Sequence, residues 1–382
     1  MSWKECNAMS ERREFVSLAG VEGSNMAALC RRFGISRKTG YKWVSRHREF
    51  GETGLDDRSR KPHRFRLATP GAIEERVLAV RKEHPSWGGR KIAARLKELR
   101  VREVPVASTI TAILHRHGQI SPEESAKRKA LVRFERAEPN ELWQMDFKGE
   151  FRMTSGQWCY PLTVLDDHSR YSLILAACGD QRRSTVQRHL VEAFRRYGLP
   201  RSMLMDNGPP WGTPCRLGGP SVFSVWLMDL DVAVLHGRPY HPQTQGKEER
   251  FHRTLKLEVL QGRTFDNPQQ VQDSFAPWRQ VYNCERPHDA LDLKTPSTRY
   301  RASPREYREQ LAPFEYALSF TVRQVSAEGR LVFQGRVYRV GKAFGRRQVG
   351  LRPTEQDGQW AVYYRTFRVG TLDEGEGQRR RR

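Results

Sequence analysis

Apolar residues along this chain change their spacing twice, dividing it into three regions of different periodicity. Up to residue 118 they recur at intervals of three and four, the spacing of one helix face. Within 11–50, Ser24 can cap a helix carrying Ala27, Ala28, Leu29 and Phe33; Gly34 supplies a turn and Ile35 plugs the angle behind it. Ser36 then caps a second helix over 37–46, in which Gly40 costs up to about 1 kcal/mol relative to Ala. Two capped helices around a short turn predict a helix-turn-helix domain over 1–50. Residues 51–68 lose the period and read as an extended basic linker. Thr69-Pro70 opens a second helical set, which stops at His84-Pro85, resumes over 90–99 and closes with a helix over 109–117 capped by Ser108. Residues 69–118 therefore predict a second helix-turn-helix domain, with a charged connector over 119–140.

From residue 141 the spacing shortens to that of strands. Strands are expected at 142–147, 158–165 and 171–178, the last two joined by a hairpin turn at Asp166-Asp167-His168-Ser169-Arg170. A helix begins at Ser184, buries Val186, Leu190, Ala193, Phe194 and Tyr197, and ends at Gly198. A short apolar strand at 203–205 stops abruptly at Asp206-Asn207-Gly208, followed by a Pro/Gly-rich insertion over 209–220. A helix near 221–230, a strand at 232–235 and helices near 245–261 and 268–283 complete the region. Three antiparallel strands followed by alternating helix and strand predict an α/β mixed sheet with helices on its faces, spanning 141–300. Over 301–374, six short strand-like runs between 318 and 372, with Gly329, Gly335, Gly350 and Gly358 at or near the turns, predict a small all-β barrel or sandwich. The tail, 375–382, reads as basic and disordered.

Charge sharpens this division. The chain has 382 residues and a net charge of +23. Residues 1–140 carry 30 Lys and Arg against 17 Asp and Glu, 141–300 carry 20 against 18, and 301–382 carry 17 against 9. Two basic flanks around a nearly neutral centre fit a protein that grips a polyanion from both sides. Cys6, Cys30, Cys159, Cys178, Cys215 and Cys284 form no Cys-x-x-Cys pair and have no zinc-finger histidines beside them. Reduced, packing thiols point to a cytoplasmic protein. No apolar run approaches the roughly 18 residues of a membrane span, so no membrane partner is expected.

The candidate chemistry lies in the neutral centre. Asp146 sits within a strand pattern, and Asp206 is left at the carboxyl end of another, where sheets with parallel strands build their sites. A third carboxylate, Glu249 or its neighbour Glu248, stands where a turn-rich loop enters a helix. Two strand carboxylates and one helix carboxylate form an oxygen donor set suited to Mg²⁺ or Mn²⁺. In the flanks, Arg37, Lys38, Thr39 and Lys42 suit a helix entering a major groove, and Arg60, Lys61 and Arg64 can follow a minor groove.

Trp143-Gln-Met-Asp146, Leu165-Asp-Asp-His-Ser-Arg170, Asp206-Asn-Gly208, the run from His241 through Glu249 to Leu255, and Asn283-x-x-Arg-Pro-His288 together resemble bacterial insertion-sequence transposases of the DDE, retroviral-integrase-like group. The likeness covers most of the chain and is strongest over 141–300. It implies a ribonuclease H-like core with Asp146, Asp206 and Glu249 as the catalytic, metal-binding acids. Glu249 is preferred to Glu248 because the group's acid directly precedes Arg-Phe-His, with Lys247, Arg253 and Lys256 implied at the DNA. The 43 positions from Asp206 to Glu249 exceed the group's compact spacing, which the 209–220 insertion accounts for. Asp166 and Asp167 are expected to shape the hairpin turn. The resemblance further implies two Mg²⁺ ions per site with Mn²⁺ substituting, binding of terminal inverted repeats, cleavage, joining of 3′-OH ends to target DNA, and at least a homodimer on double-stranded DNA. A metal-dependent nuclease and a catalytically inert DNA-binding regulator are the competing readings.

Overall fold

The computed structural model describes residues 8–57, 69–120, 135–206, 208, 211, 220–236, 246–375 and 378–379. The chain divides into two compact units, Met1–Ala68 and Thr69–Arg382.

The first unit is a three-helix domain: α1 (Ala8–Ala19), α2 (Met26–Arg32) and α3 (Arg37–Phe50) around Phe15, Val16, Cys30 and Trp43. Ser36 caps α3 as expected, accepting the Thr39 N–H at 3.2 Å. The cap of α2 is Asn25 rather than Ser24. Asn25 Oδ1 accepts the N–H groups of Ala27 and Ala28 at 3.1 and 3.2 Å, while the Ser24 hydroxyl donates back to the Ala19 carbonyl. Packing explains Gly40, for a Cβ there would lie 2.6 Å from Cys30 Sγ and 2.8 Å from Phe15 Cζ. The helices can approach this closely only with no side chain at that position. Residues expected to begin an extended linker instead form a 3-10 turn, Gly51–Leu55, whose Leu55 is fully buried in the same core.

The second unit begins with another three-helix set, α4 (Gly71–Glu83), α5 (Gly89–Glu98) and α6 (Ala107–Arg116), around Val77, Trp87, Ile92, Ile110 and Leu114. The caps expected at Thr69 and Ser108 are absent; Pro70 and Val106 occupy the cap positions without side-chain hydrogen bonds.

A mixed sheet follows: β1 (Leu142–Phe147), β2 (Phe151–Arg152), β3 (Trp158–Asp166), β4 (Ser172–Cys178), β5 (Ser202–Met205) and β6 (Ala233–His236). β1, β3 and β4 pair antiparallel, whereas β1–β5 and β5–β6 are parallel. One face, with Trp143, Met145, Met203 and Met205, packs on α7 (Arg183–Tyr197) and α8 (Val222–Asp229). The other, with Leu165 and Leu175, packs on α9 (Gly246–Leu255), its continuing π-helical turn Lys256–Leu260, and α10 (Pro268–Cys284). The helical set is fastened to this second face: Ser86 and Arg286 both bond Glu258, Arg95 pairs with Glu285, and Arg90 lies 3.0 Å from Asp289.

The C-terminal strands form two antiparallel sheets rather than one continuous ladder around a barrel. Four strands, β7 (Thr321–Gln324), β10 (Gln348–Pro353), β11 (Gln359–Tyr364) and β12 (Phe367–Asp373), make the first. β8 (Arg330–Phe333) and β9 (Arg336–Arg339) make the second with β13 (Gln378–Arg379), so these two residues of the tail expected to be disordered are paired. Their shared core admits Val225 and Met228 of α8, and Arg347 holds both oxygens of Asp229 at 2.8 and 2.7 Å. Among the described residues, no helix is long and apolar enough to cross a membrane.

Candidate active site

The sheet register places two of the three expected acids. β1 and β5 run parallel with Leu142 opposite Ser202, Trp143 opposite Met203 and Gln144 opposite Leu204. The same offset carries Asp146 to Asp206, so the carboxylates leave neighbouring strand ends on one face, with strands about 4.8 Å apart. Asp146 Oδ1 accepts the Phe147 N–H at 2.8 Å. Asp206 Oδ1 accepts the Gly208 N–H at 3.0 Å and the Trp211 indole N–H, and the Asp206 carbonyl lies 3.0 Å from His236 Nδ1. Glu249 stands exposed in the first turn of α9.

These acids share one field. Burial pushes the Asp146 carboxyl up to about 6, helped by the negative charges of Asp206 and Glu249 and partly opposed by the Phe147 N–H. Among the described residues, none of the three is paired with a Lys or Arg, and no three His, Cys, Asp or Glu side chains converge closely enough to enclose an ion. The structure thus brings Asp206 and Glu249 within electrostatic reach of Asp146 without closing them into a cage. Three like-charged carboxylates oppose closer approach, and an all-oxygen set of this kind fits a hard divalent cation, which relieves that repulsion.

Beneath Asp146 lies a polar cluster invisible to sequence reading. Thr163, opposite Asp146 on β3, is fully buried. Its hydroxyl donates to the Asp146 carbonyl at 3.0 Å and lies 3.0 Å from Glu248 Oε2 and 2.8 Å from His252 Nε2. This one hydroxyl ties α9 to β1. Glu248 is 1% exposed, and burial together with the Asp146 charge raises its pKa well above the usual carboxylate range. Burial, then the Lys148 charge, depresses His252 to about 3, so its imidazole is neutral. Lys148, two residues past Asp146, is itself lowered by burial and by the nearby Lys256 ammonium. Only the alternation of β3 could have pointed to Thr163, and only once the pairing was known.

The expected DNA-contact residues divide. Arg37, Lys38 and Lys42 are exposed along the start of α3; Thr39 is half-buried, its hydroxyl 2.9 Å from that of Ser36. Arg253 and Lys256 are exposed beyond Glu249. Lys247 is not presented to solvent in the same way: its ammonium is committed to the buried carboxylate of Asp167. Asp167 also accepts the Gln144 amide and the Arg136 N–H, while Asp166 accepts the Ser169 N–H and hydroxyl, closing the hairpin turn. Arg60, Lys61 and Arg64 lie outside the described residues, as do the connector 121–134, most of the 209–220 insertion and the loop 237–245.

The integrase core domain matches residues 136–242, and a second integrase core domain family matches 230–296, so the chain carries an integrase core. The C-terminal domain of the IS481 family transposases matches 320–379, a helix-turn-helix domain 11–63 and a homeodomain-like domain 39–114. The chain is 29% identical over 174 residues to the insertion element IS476 uncharacterized 39.2 kDa protein of Xanthomonas euvesicatoria, covering 46% of this chain and 47% of that one. It is 27% identical over 159 residues to the insertion element IS407 uncharacterized 31.7 kDa protein of Burkholderia multivorans, covering 42% and 54%. The chain therefore spans about half the length of these curated relatives. Among solved structures it is similar to a chain of the simian T-cell lymphotropic virus intasome in complex with PP2A regulatory subunit B56 gamma, with 14% identity, a TM-score of 0.37, and 77% and 99% of the two chains covered. In these regions the chain is similar to bacterial insertion-sequence transposases with an integrase core.

Proposed function

We propose that this chain cuts DNA at the ends of a mobile element and joins the freed 3′-OH ends to target DNA, with Asp146, Asp206 and Glu249 as its metal-binding acids. The observation that carries the reading is the register of β1 and β5, whose offset sets Asp146 beside Asp206, together with the effect of Glu249 on the Asp146 carboxyl. Mg²⁺ ions bound by these acids, two per site and replaceable by Mn²⁺, supply activation of the attacking oxygen and neutralisation of charge on the leaving one. The chain's own residues do the rest. Exposed Arg253 on α9 and Lys256 at the start of the π-helical turn that continues it, four and seven positions beyond Glu249, hold backbone phosphates beside the acids. Arg37, Lys38 and Lys42 at the start of α3 read the terminal repeat in the major groove, and Arg60, Lys61 and Arg64 follow the adjacent minor groove. The C-terminal β domain, which the sequence pattern casts as a small barrel, holds flanking or target DNA through phosphates. Joining two ends requires at least two copies of the chain, acting on DNA in the bacterial cytoplasm.

The test is a cleavage and strand-transfer assay with Mg²⁺ or Mn²⁺ on DNA carrying the ends that flank the gene, with Asp206→Asn alongside. Cut and joined products that both vanish in the variant support the reading. Cutting without joining favours a nuclease instead, and tight binding with no cutting under either ion favours a regulator or a degenerate copy.

A further inference from the structure

The residues just past Asp206 hold an arrangement that the spacing of the acids does not call for. Trp211 stands in a Pro/Gly-rich stretch, yet it is only 1% exposed. Its indole stacks on Phe147 with ring centroids 5.3 Å apart and planes 13° apart, and meets Phe223 at 6.4 Å. Phe147 is the residue after Asp146, so this stack leans on the end of β1. A buried indole N–H needs an acceptor. Here the acceptor is Asp206 Oδ1, which also takes the Gly208 N–H at 3.0 Å. With Oδ1 filled by two donors, Oδ2 is the oxygen without a hydrogen-bond partner among the described residues. Gly208 guards that side by having no side chain: a Cβ there would lie 3.1 Å from Oδ2 and 3.4 Å from Oδ1.

We infer that Trp211 and Gly208 form a cradle that fixes the Asp206 carboxylate and presents its Oδ2 to a hard divalent cation. Trp211 is a positioning residue: it acts through Asp206, and its stack on Phe147 ties that carboxylate to the strand end bearing Asp146. The inference rests on the reading of Asp206 as a metal ligand. Groups that orient a ligand from behind typically change metal affinity about ten- to a hundredfold when removed. Trp211→Phe keeps an aromatic ring against Phe147 and Phe223 but deletes the donor; Gly208→Ala leaves the donor and crowds the oxygen.

The experiment titrates Mn²⁺ into the full chain by calorimetry and follows indole emission, which paramagnetic Mn²⁺ quenches at short range. Wild type, Trp211→Phe, Gly208→Ala and Asp206→Asn are compared. The expected result is binding by wild type, none at the same site in Asp206→Asn, and affinity about tenfold lower or worse in both other variants. Trp211→Phe should also lose part of the Mn²⁺-dependent quenching while its unfolding midpoint stays near that of wild type. Wild-type affinity in Trp211→Phe and Gly208→Ala, with Asp206→Asn inactive in binding, overturns the cradle and leaves the metal-ligand reading standing. Should Trp211→Phe fail to fold, Gly208→Ala decides alone on the same criterion. No Mn²⁺ binding by wild type, with or without element-end DNA, sinks the metal-ligand reading and the cradle with it.

Discussion

Two adjacent glutamates, Glu248 and Glu249, are expected to behave as different kinds of residue when each is changed to Gln. The Thr163 hydroxyl is within donating distance of both the Asp146 carbonyl and Glu248 Oε2, each at 3.0 Å. Burial and the Asp146 charge raise the Glu248 pKa well above the usual carboxylate range, partly opposed by the Thr163 hydroxyl, and so favour the protonated acid. A Gln side chain is neutral, of nearly the same size, and its carbonyl oxygen can still accept the Thr163 hydroxyl. Glu248→Gln should therefore retain DNA cleavage within a few-fold. Glu249 is exposed at the proposed metal site, so Glu249→Gln should lose cleavage about a hundredfold or more, the scale of losing one electrostatic contact made in the transition state, with stability little changed. The pH dependence gives a second signature. Because the folded pKa of Glu248 lies above its unfolded value of about 4.5, its contribution to stability is fully present below that value. It is lost as pH rises toward the folded pKa, at about 1.4 kcal/mol per pH unit. Gln does not titrate, so Glu248→Gln should gain on wild type as pH rises from 5 to 8 in urea unfolding. Cleavage lost equally in both variants, or a stability difference independent of pH, would refute the assignment.

Three further outcomes follow from the geometry. Thr163→Val strands Glu248 and His252 without their shared partner and should cost about 2–4 kcal/mol in urea unfolding, whereas Thr163→Ser should restore most of it. Since a cation needs the ionised form of Asp146, Mn²⁺ affinity measured by calorimetry should fall as pH drops through about 6. In Glu249→Gln that midpoint should move lower, because one of the charges raising it is gone. In the first helical unit, Gly40→Ala should destabilise by roughly 1–3 kcal/mol despite better helix propensity, since its Cβ overpacks the helix junction. An unchanged unfolding midpoint would show that Cys30 and Phe15 can move aside.

Much of the fold was legible because local and long-range preferences agree. The strand at 142–147, the hairpin at Asp166–Arg170 and the stop at Gly198, whose φ is 75°, all appear where alternation and turn residues placed them. Asp146 and Asp206 stood out as candidates because an acid within or at the end of an apolar strand contradicts its surroundings. Capping was less so: Ser24 and Asn25 are both good caps, and a one-residue choice depends on backbone angles that composition does not encode. Lys247 looked like a phosphate contact because its buried partner Asp167 is 80 residues away in the chain. Thr163 and Trp211 were hidden for a similar reason, since each matters only through what a neighbouring strand or loop brings against it.

The parallel pairing of β1 and β5 has a consequence for how this chain tolerates change. The separation of Asp146 from Asp206 is set by rungs of a hydrogen-bonded ladder, not by the sixty positions of chain between them. The β2–β4 turns or the connections around α7 can lengthen or shorten while both acids stay in place. One residue inserted within Ser202–Met205 would bring Met205 to the position beside Asp146 and turn the carboxylate to the opposite face. The site is thus indifferent to length in its loops and intolerant of it within the two paired strands, and scanning single-residue insertions would trace that boundary directly.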